Sequence, residues 1–178
     1  MSKTASGFDR LLGDEKSAGV TDSQYVTFAL GNQAYGLNVG DAIEVIRLVA
    51  MSEPPEAPPY VMGLINIRGR VVPIVDMRLR LGMEPADYSL ATPILVVAVN
   101  AWTVGLIVDK VSEVVTLPAG MIEPPTGAFS QSRVVSGVAK IDAKLIFLLD
   151  LPGLFSTDDT HLFEKLFAAN QVPDKALV

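Results

Sequence analysis

The sequence predicts an all-β protein: two small five-stranded β-barrels packed together, with short helices and a C-terminal α-helix. Three observations predict it. From Gln24 onward, short β-branched and aromatic runs alternate with turn residues, the pattern of a sandwich or barrel. Four blocks recur in the same order at an offset of 69 to 74 residues, the mark of two copies of one module. Cysteine is absent, and 49% of residues are hydrophobic against 19% charged, which suits a filled core built without disulfides.

Residues 1–22 are rich in Ser, Gly, Asp and Lys and read as a flexible tail. The first copy, 23–82, opens with "YVTFALGNQAYGLNV" (25–39): a strand, a turn carrying Asn, and a strand. This block returns as "ILVVAVNAWTVGLIV" (94–108). "IEVI" (43–46) returns as "SEVV" (112–115), and Pro54 and Pro55 fall opposite Pro124 and Pro125. "GLINIRGRVVPIVDM" (63–77) returns as "GVAKIDAKLIFLLDL" (137–151). Each copy thus supplies a hairpin, a third strand, a proline-rich crossing and a second hairpin, and closure into a barrel would remove exposed edges. Asp76 and Asp150 end matching strands and are placed to cap helices of one or two turns. Residues 83–91 read as a linker and 92–156 as the second copy. In 157–170, acidic residues fill the first turn and Leu162, Phe163, Leu166 and Phe167 fall at helical spacing. This predicts an amphipathic helix docked on a barrel, followed by a tail at 171–178. A module of about 60 residues buries only roughly 60% of its unfolded surface. The two copies are therefore expected to lean on each other through an apolar interface.

Composition narrows the function. The formal charge is −6 and the pI near 4.7, and the 14 Lys and Arg are scattered. Nucleic acid, which is bound by displacing counterions with clustered cations, is not expected as a partner. The longest apolar run, Ile94 to Val99, is too short to cross a bilayer, and the N-terminus has no signal core. The absence of cysteine fits a reducing cytoplasm.

Chemistry is hard to place. The single histidine, His161, falls in the terminal helix, and with no cysteine no metal site is expected. No glycine loop stands where a phosphate would be cradled, and no cofactor is expected. One carboxylate pair, Asp109 and Glu113, offers a remote hydrolase reading, and its counterparts in the first copy are Gly40 and Glu44. Carboxylates beside a β-turn are usually just solvated, so no catalytic residues are expected.

Binding remains, and the duplication locates it. What both copies share is mostly needed for folding; what one copy has alone is a candidate for a task. The second hairpin turn is where they part: Asn66-Ile67-Arg68-Gly69-Arg70 against Lys140-Ile141-Asp142-Ala143-Lys144. Gly69 permits a positive φ that Ala143 is expected to tolerate poorly. Arg68 offers a planar fork of five donors, and Arg70 is assigned to solvent.

The succession "YVTFALGNQAYGLNV", "IEVIR", "GLINIRGRVVPIVDMRLRLG", "VGLIVDKVSEVV", "IEPP" and "LIFLLDL" resembles the CheW family of chemotaxis coupling proteins, over about residues 24–156. The resemblance implies two intertwined SH3-like five-stranded barrels and no enzymatic activity. It implies a cytoplasmic scaffold that joins the helical hairpin of a chemoreceptor to the regulatory domain of a CheA-type histidine kinase in membrane-bound receptor arrays. The kinase would dock barrel to barrel. Matching positions place a receptor groove at Val39, Ala42, Glu44, Val45, Asn66, Arg68, Gly69, Val104, Gly105 and Val111. Ala42 stands where the family usually carries a larger aliphatic, which suits an alternative role in a non-flagellar pathway controlling pili or surface behaviour.

Overall fold

The computed structural model describes residues 22–169, so the expected tails lie outside the described residues. Eleven strands run in the order β1 (Ser23–Leu30), β2 (Gln33–Asn38), β3 (Ala42–Arg47), β4 (Val61–Ile67), β5 (Arg70–Asp76), β6 (Pro93–Val99), β7 (Trp102–Ile107), β8 (Lys110–Leu117), β9 (Ile122–Glu123), β10 (Val135–Ile141) and β11 (Lys144–Leu149). Among the described residues three α-helices complete it: α1 (Met77–Arg80), α2 (Leu151–Leu154) and α3 (Thr157–Ala169).

The strands form two sheets, β8-β1-β2-β11-β10-β9 and β3-β6-β7-β5-β4. Laid over each other, β8, β1, β2, β11 and β10 of the first answer to β3, β6, β7, β5 and β4 of the second. The duplication read from sequence is therefore present strand for strand. Even the irregularities repeat. The β1–β8 register slips between Val26 and Phe28 and the β3–β6 register between Ala42 and Glu44. The paired slips at Val61/Gly63 and Val135/Gly137 match in the same way.

Two expectations are corrected. The sheets have six and five strands and neither pairing order closes on itself, so these are rolled sheets and not closed barrels. Nor does either sheet follow one copy, as the boundaries 23–82 and 92–156 suggest: the first hairpins are exchanged, which is the intertwining that the resemblance implies. Strands β1 and β2 of the first copy join the sheet of the second, and β6 and β7 make the reverse move. The parallel pairs β2–β11 and β5–β7 are the seams of this exchange. Consequently 83–91, read as a linker between barrels, leaves and re-enters the same sheet. Edges are blunted in matching fashion: Ser52 bridges Leu64 on β4, and β9 pairs with β10.

Burial explains why neither half stands alone. Ile65, Val72, Ile74, Ile94, Val96 and Ile107 fill the inside of the five-stranded sheet, and Leu117, Ala139, Ile146 and Leu148 that of the other. The largest cluster lies between the sheets. It joins Val26, Phe28, Leu30 and Leu37 to Leu95, Val97, Val104 and Leu106, and takes in Leu154, Phe155, Phe163 and Leu166 from the C-terminal segment. The apolar interface expected between the copies is the main core.

The capping expectation holds for one helix. Asp76 is buried, its Oδ1 accepts from the Leu79 N–H at 3.2 Å, and its Oδ2 accepts from the Tyr88 hydroxyl at 2.5 Å. Burial and that carboxylate push the Tyr88 phenol well above its usual range. Asp150 is exposed and makes no capping bond.

At the second hairpin turns the two copies share one backbone shape. Arg68 and Gly69 have φ of 51° and 82°, Asp142 and Ala143 of 48° and 67°. Ala143 thus adopts the left-handed conformation it was expected to tolerate poorly, at a cost of about 1 kcal/mol. Ala143→Gly is expected to recover a part of this, raising stability by about 0.5 kcal/mol after the greater chain entropy of glycine is subtracted. Urea unfolding of the two proteins, compared at equal m-value, checks it.

Candidate functional site: a polar rim on an apolar groove

Glu44 lies at the bulge of β3, one edge of the five-stranded sheet, and Arg68 sits in the β4–β5 turn at the other. The sheet rolls far enough to bring them together. Arg68 Nη1 donates to Glu44 Oε1 at 2.9 Å and Nη2 to Oε2 at 3.0 Å, a two-pronged pair. The Arg68 side chain is 73% exposed and that of Glu44 only 20%. The carboxylate is thus the anchor, and the guanidinium is held outward with its remaining N–H groups toward solvent. Asn66 spends its Oδ1 on the Gly69 N–H at 2.8 Å, which fixes the turn and leaves its amide nitrogen outward. Arg70 is exposed, as assigned.

The neighbouring expected positions are aliphatic. Val39, Ala42 and Val111 are half-buried and pack onto the core between the sheets, while Val45 is 41% exposed on β3. Val39 belongs to a one-turn 3-10 segment, Val39–Asp41, that carries the chain from β2 to β3. Two expected groove residues are not at the surface. Val104 is 0% exposed and Gly105 is buried. They are buried because β7 is covered on both faces: Val104 packs into the core between the sheets and Gly105 faces Ile74 and Ile94. A Cβ at Gly105 would stand 2.5 Å from Ile74 Cδ1 and 2.8 Å from Ile94 Cγ2, so glycine is required there by packing.

The other copy lacks the rim pair. Its equivalents are Glu113 and Asp142, two carboxylates that cannot bridge, and a cleft of about 660 Å³ opens between β8 and the β10–β11 turn there. Thr27 turns its hydroxyl into the bulge beside Glu113, donating to the Glu113 carbonyl at 2.7 Å and accepting from its N–H at 3.2 Å.

The carboxylate pair weighed for hydrolysis is not assembled for it. Arg78 Nε donates to Asp109 Oδ1 at 2.8 Å and Nη2 to Oδ2 at 2.5 Å, and the Gly31 N–H donates to Oδ2 at 2.6 Å. The Arg78 guanidinium holds the Asp109 carboxyl below its ordinary range, the Gly31 N–H helps, and burial opposes only in part. An ionised, saturated carboxylate can neither give a proton nor take one readily. Sequence reasoning missed this clasp, although both partners are asymmetries of the duplication: Arg78 answers to Pro152 and Asp109 to Gly40. Among the described residues no three His, Cys, Asp or Glu side chains gather to hold a metal, and no helix is long and apolar enough to cross a membrane.

Paired rolled sheets with exchanged hairpins, a shielded core between them and an outward-held Arg68–Glu44 pair are features of a scaffold-type binding module. The profile of the CheW-like domain matches residues 24–159. A probable chemotaxis protein CheW of Rhizobium etli is 34% identical over 148 residues, spanning 82% of this chain and 96% of that protein. The chemotaxis protein CheW of Rhizobium meliloti is 33% identical over 138 residues, spanning 76% and 89%. The crystal structure of the scaffolding protein TtCheW from Thermoanaerobacter tengcongensis superposes with a TM-score of 0.71 at 33% identity, covering 78% of this chain and 96% of that one. The chain belongs to the CheW-like family, and with it to the coupling scaffolds of chemotaxis signal transduction.

Proposed function

We propose that this protein is a non-enzymatic adaptor whose rim and groove receive the cytoplasmic helical hairpin of a chemoreceptor, while a CheA-type kinase docks its regulatory domain barrel to barrel elsewhere on the surface. It works in the cytoplasm, at membrane-bound receptor arrays. One observation carries the reading: a guanidinium fork held outward by Glu44, on the same strand as half-buried Ala42. A helix laid in such a groove gains burial from its apolar face and orientation from polar groups at the rim. Pinning spares Arg68 the rotamer entropy that a free arginine loses on binding. Glu44, Val45, Asn66 and Gly69 complete the contact surface, and Val104 and Gly105 support it from behind.

Arg68→Ala tests this. The affinity for a receptor cytoplasmic hairpin fragment, measured by titration calorimetry, is expected to fall by about 30-fold. The unfolding free energy is expected to change by less than about 1 kcal/mol, because the pair is largely solvated. Unchanged affinity would refute the reading. A loss of several kcal/mol would make Arg68 a structural residue. Coupling scaffolds act in arrays, where many attachments compensate for modest single contacts.

A further inference from the structure

We propose that the Asp109 corner is the pivot that fixes how the two sheets sit against each other, so that Asp109 and Arg78 are positioning residues for partner binding in the groove. This rests on the adaptor reading for its binding consequence, though not for its geometry.

The topology makes the pivot necessary. Of the connections between the described strands, only two carry the chain from one sheet to the other: β2 to β3 through Val39–Asp41, and β7 to β8 through residues 108 and 109. The rest return to the sheet they left. Relative motion of the sheets must therefore be absorbed at these two crossings, and they are built differently.

At the second crossing the chain is held from both sides. The Val108 N–H donates to the Pro93 carbonyl at 3.3 Å, in the five-stranded sheet, and the Asp109 N–H to the Ala29 carbonyl at 3.1 Å, in the other. The Asp109 side chain repeats the bracket. It accepts from Gly31, in the turn between β1 and β2, and from both prongs of Arg78, on α1 directly after β5. Arg78 is itself steadied by donating through Nη1 to the Glu84 carbonyl at 3.2 Å. The Arg78 and Asp109 side chains are only 18% and 23% exposed, so solvent screens them little.

At the first crossing none of this recurs. Gly40 stands in place of Asp109 and Pro152 in place of Arg78. The bonds there are local, Gly40 N–H to Asn38 Oδ1 at 2.9 Å and Ala42 N–H to the Val39 carbonyl. A duplicated fold thus has one clamped crossing and one soft one, and the soft one carries the groove residues Val39 and Ala42. With the clamp in place the groove keeps one width; without it, displacement is largest where the partner binds.

The cysteine-free chain suits a direct test. Spin labels are placed through Arg47→Cys on β3 and Lys140→Cys on β10, both exposed and on different sheets. Double electron–electron resonance then reads the inter-sheet distance in the parent, in Asp109→Asn, in Arg78→Gln and in Arg78→Lys, under conditions where circular dichroism shows each folded. The expected result is a narrow distribution in the parent and a broadened one in Asp109→Asn and Arg78→Gln. Affinity for the receptor hairpin fragment should fall by roughly 2- to 30-fold in those two, with partial rescue of both readouts in Arg78→Lys. A distribution as narrow as the parent's in both charge-removing variants overturns the pivot. A broadened distribution with parental affinity overturns the positioning role. If the unsubstituted protein does not bind the fragment, the adaptor reading fails while the distance measurement still decides the pivot.

Discussion

Gly153→Ala is expected to destabilise the protein by about 3 kcal/mol or more, against the sign that helix propensity predicts. In an unconstrained helix the change from glycine to alanine gains about 1 kcal/mol. Gly153 lies in α2, and by that rule alanine should help. The surroundings decide otherwise. A Cβ there would stand 1.7 Å from the carbonyl oxygen of Arg133 and 2.8 Å from its carbon, and also 2.9 Å from Asp150 Oδ2. The first two atoms are backbone and cannot swing aside. They belong to the segment leading into β10, where the Asp150 N–H donates to the Val134 carbonyl at 2.8 Å, so α2 is already bonded to its obstacle. Relief requires α2 to lift off β10, which would also pull Leu151 and Leu154 from the core between the sheets. For a chain of this size the loss corresponds to roughly 6–12 °C in unfolding midpoint, read by differential scanning calorimetry. A midpoint at or above that of the parent would refute the close approach.

That comparison shows what kind of information the sequence holds. Copy two has Gly153 where copy one has Leu79, so the asymmetry is visible in the chain, but the carbonyl it accommodates is 20 residues away and comes into view only with the fold. The strand pattern was legible because alternation and turn residues are local. The duplication was legible because offsets are arithmetic. The exchange of first hairpins was not legible in the residues themselves, since both copies carry the same hairpin pattern and neither says which sheet it will join; only the resemblance implied intertwined halves. Connection lengths could mislead as well. The proline-bearing stretch 83–91 reads as a linker by composition, yet it is the three-residue turn at Val39–Asp41 that changes sheets.

The site was legible in the same uneven way. Resemblance placed Glu44 and Arg68 in one groove, and the structure joins them directly. The planar fork of Arg68 was read as a set of free donors; instead Glu44 already holds two of its prongs. Val104 and Gly105 are buried although the resemblance places them in the groove, because a strand covered on both faces buries successive residues. The Arg78–Asp109 clasp escaped the reading altogether. Asp109 was weighed as a reactive group in isolation, and its guanidinium partner lies in the other half of the chain.

Val104→Asp is expected to unfold the protein outright, and this separates support from contact in the groove. Val104 is fully shielded in the core between the sheets, opposite Val97 in the β6–β7 ladder. A carboxylate there has no cation beside it among its cluster neighbours, which are all apolar. Burying an unpaired charge costs several kcal/mol, a sum comparable with the whole stability of a domain, about 5–15 kcal/mol. The chain has no disulfide to hold it against that loss. The expected readout is loss of the cooperative thermal transition and of soluble yield, together with loss of partner binding. Arg68→Ala is expected to lose binding with the transition intact. The two substitutions look alike in an assay that measures coupling alone and diverge in calorimetry. A cooperative transition in Val104→Asp near the parental midpoint would mean that Val104 can turn outward, which would return it to the contact surface.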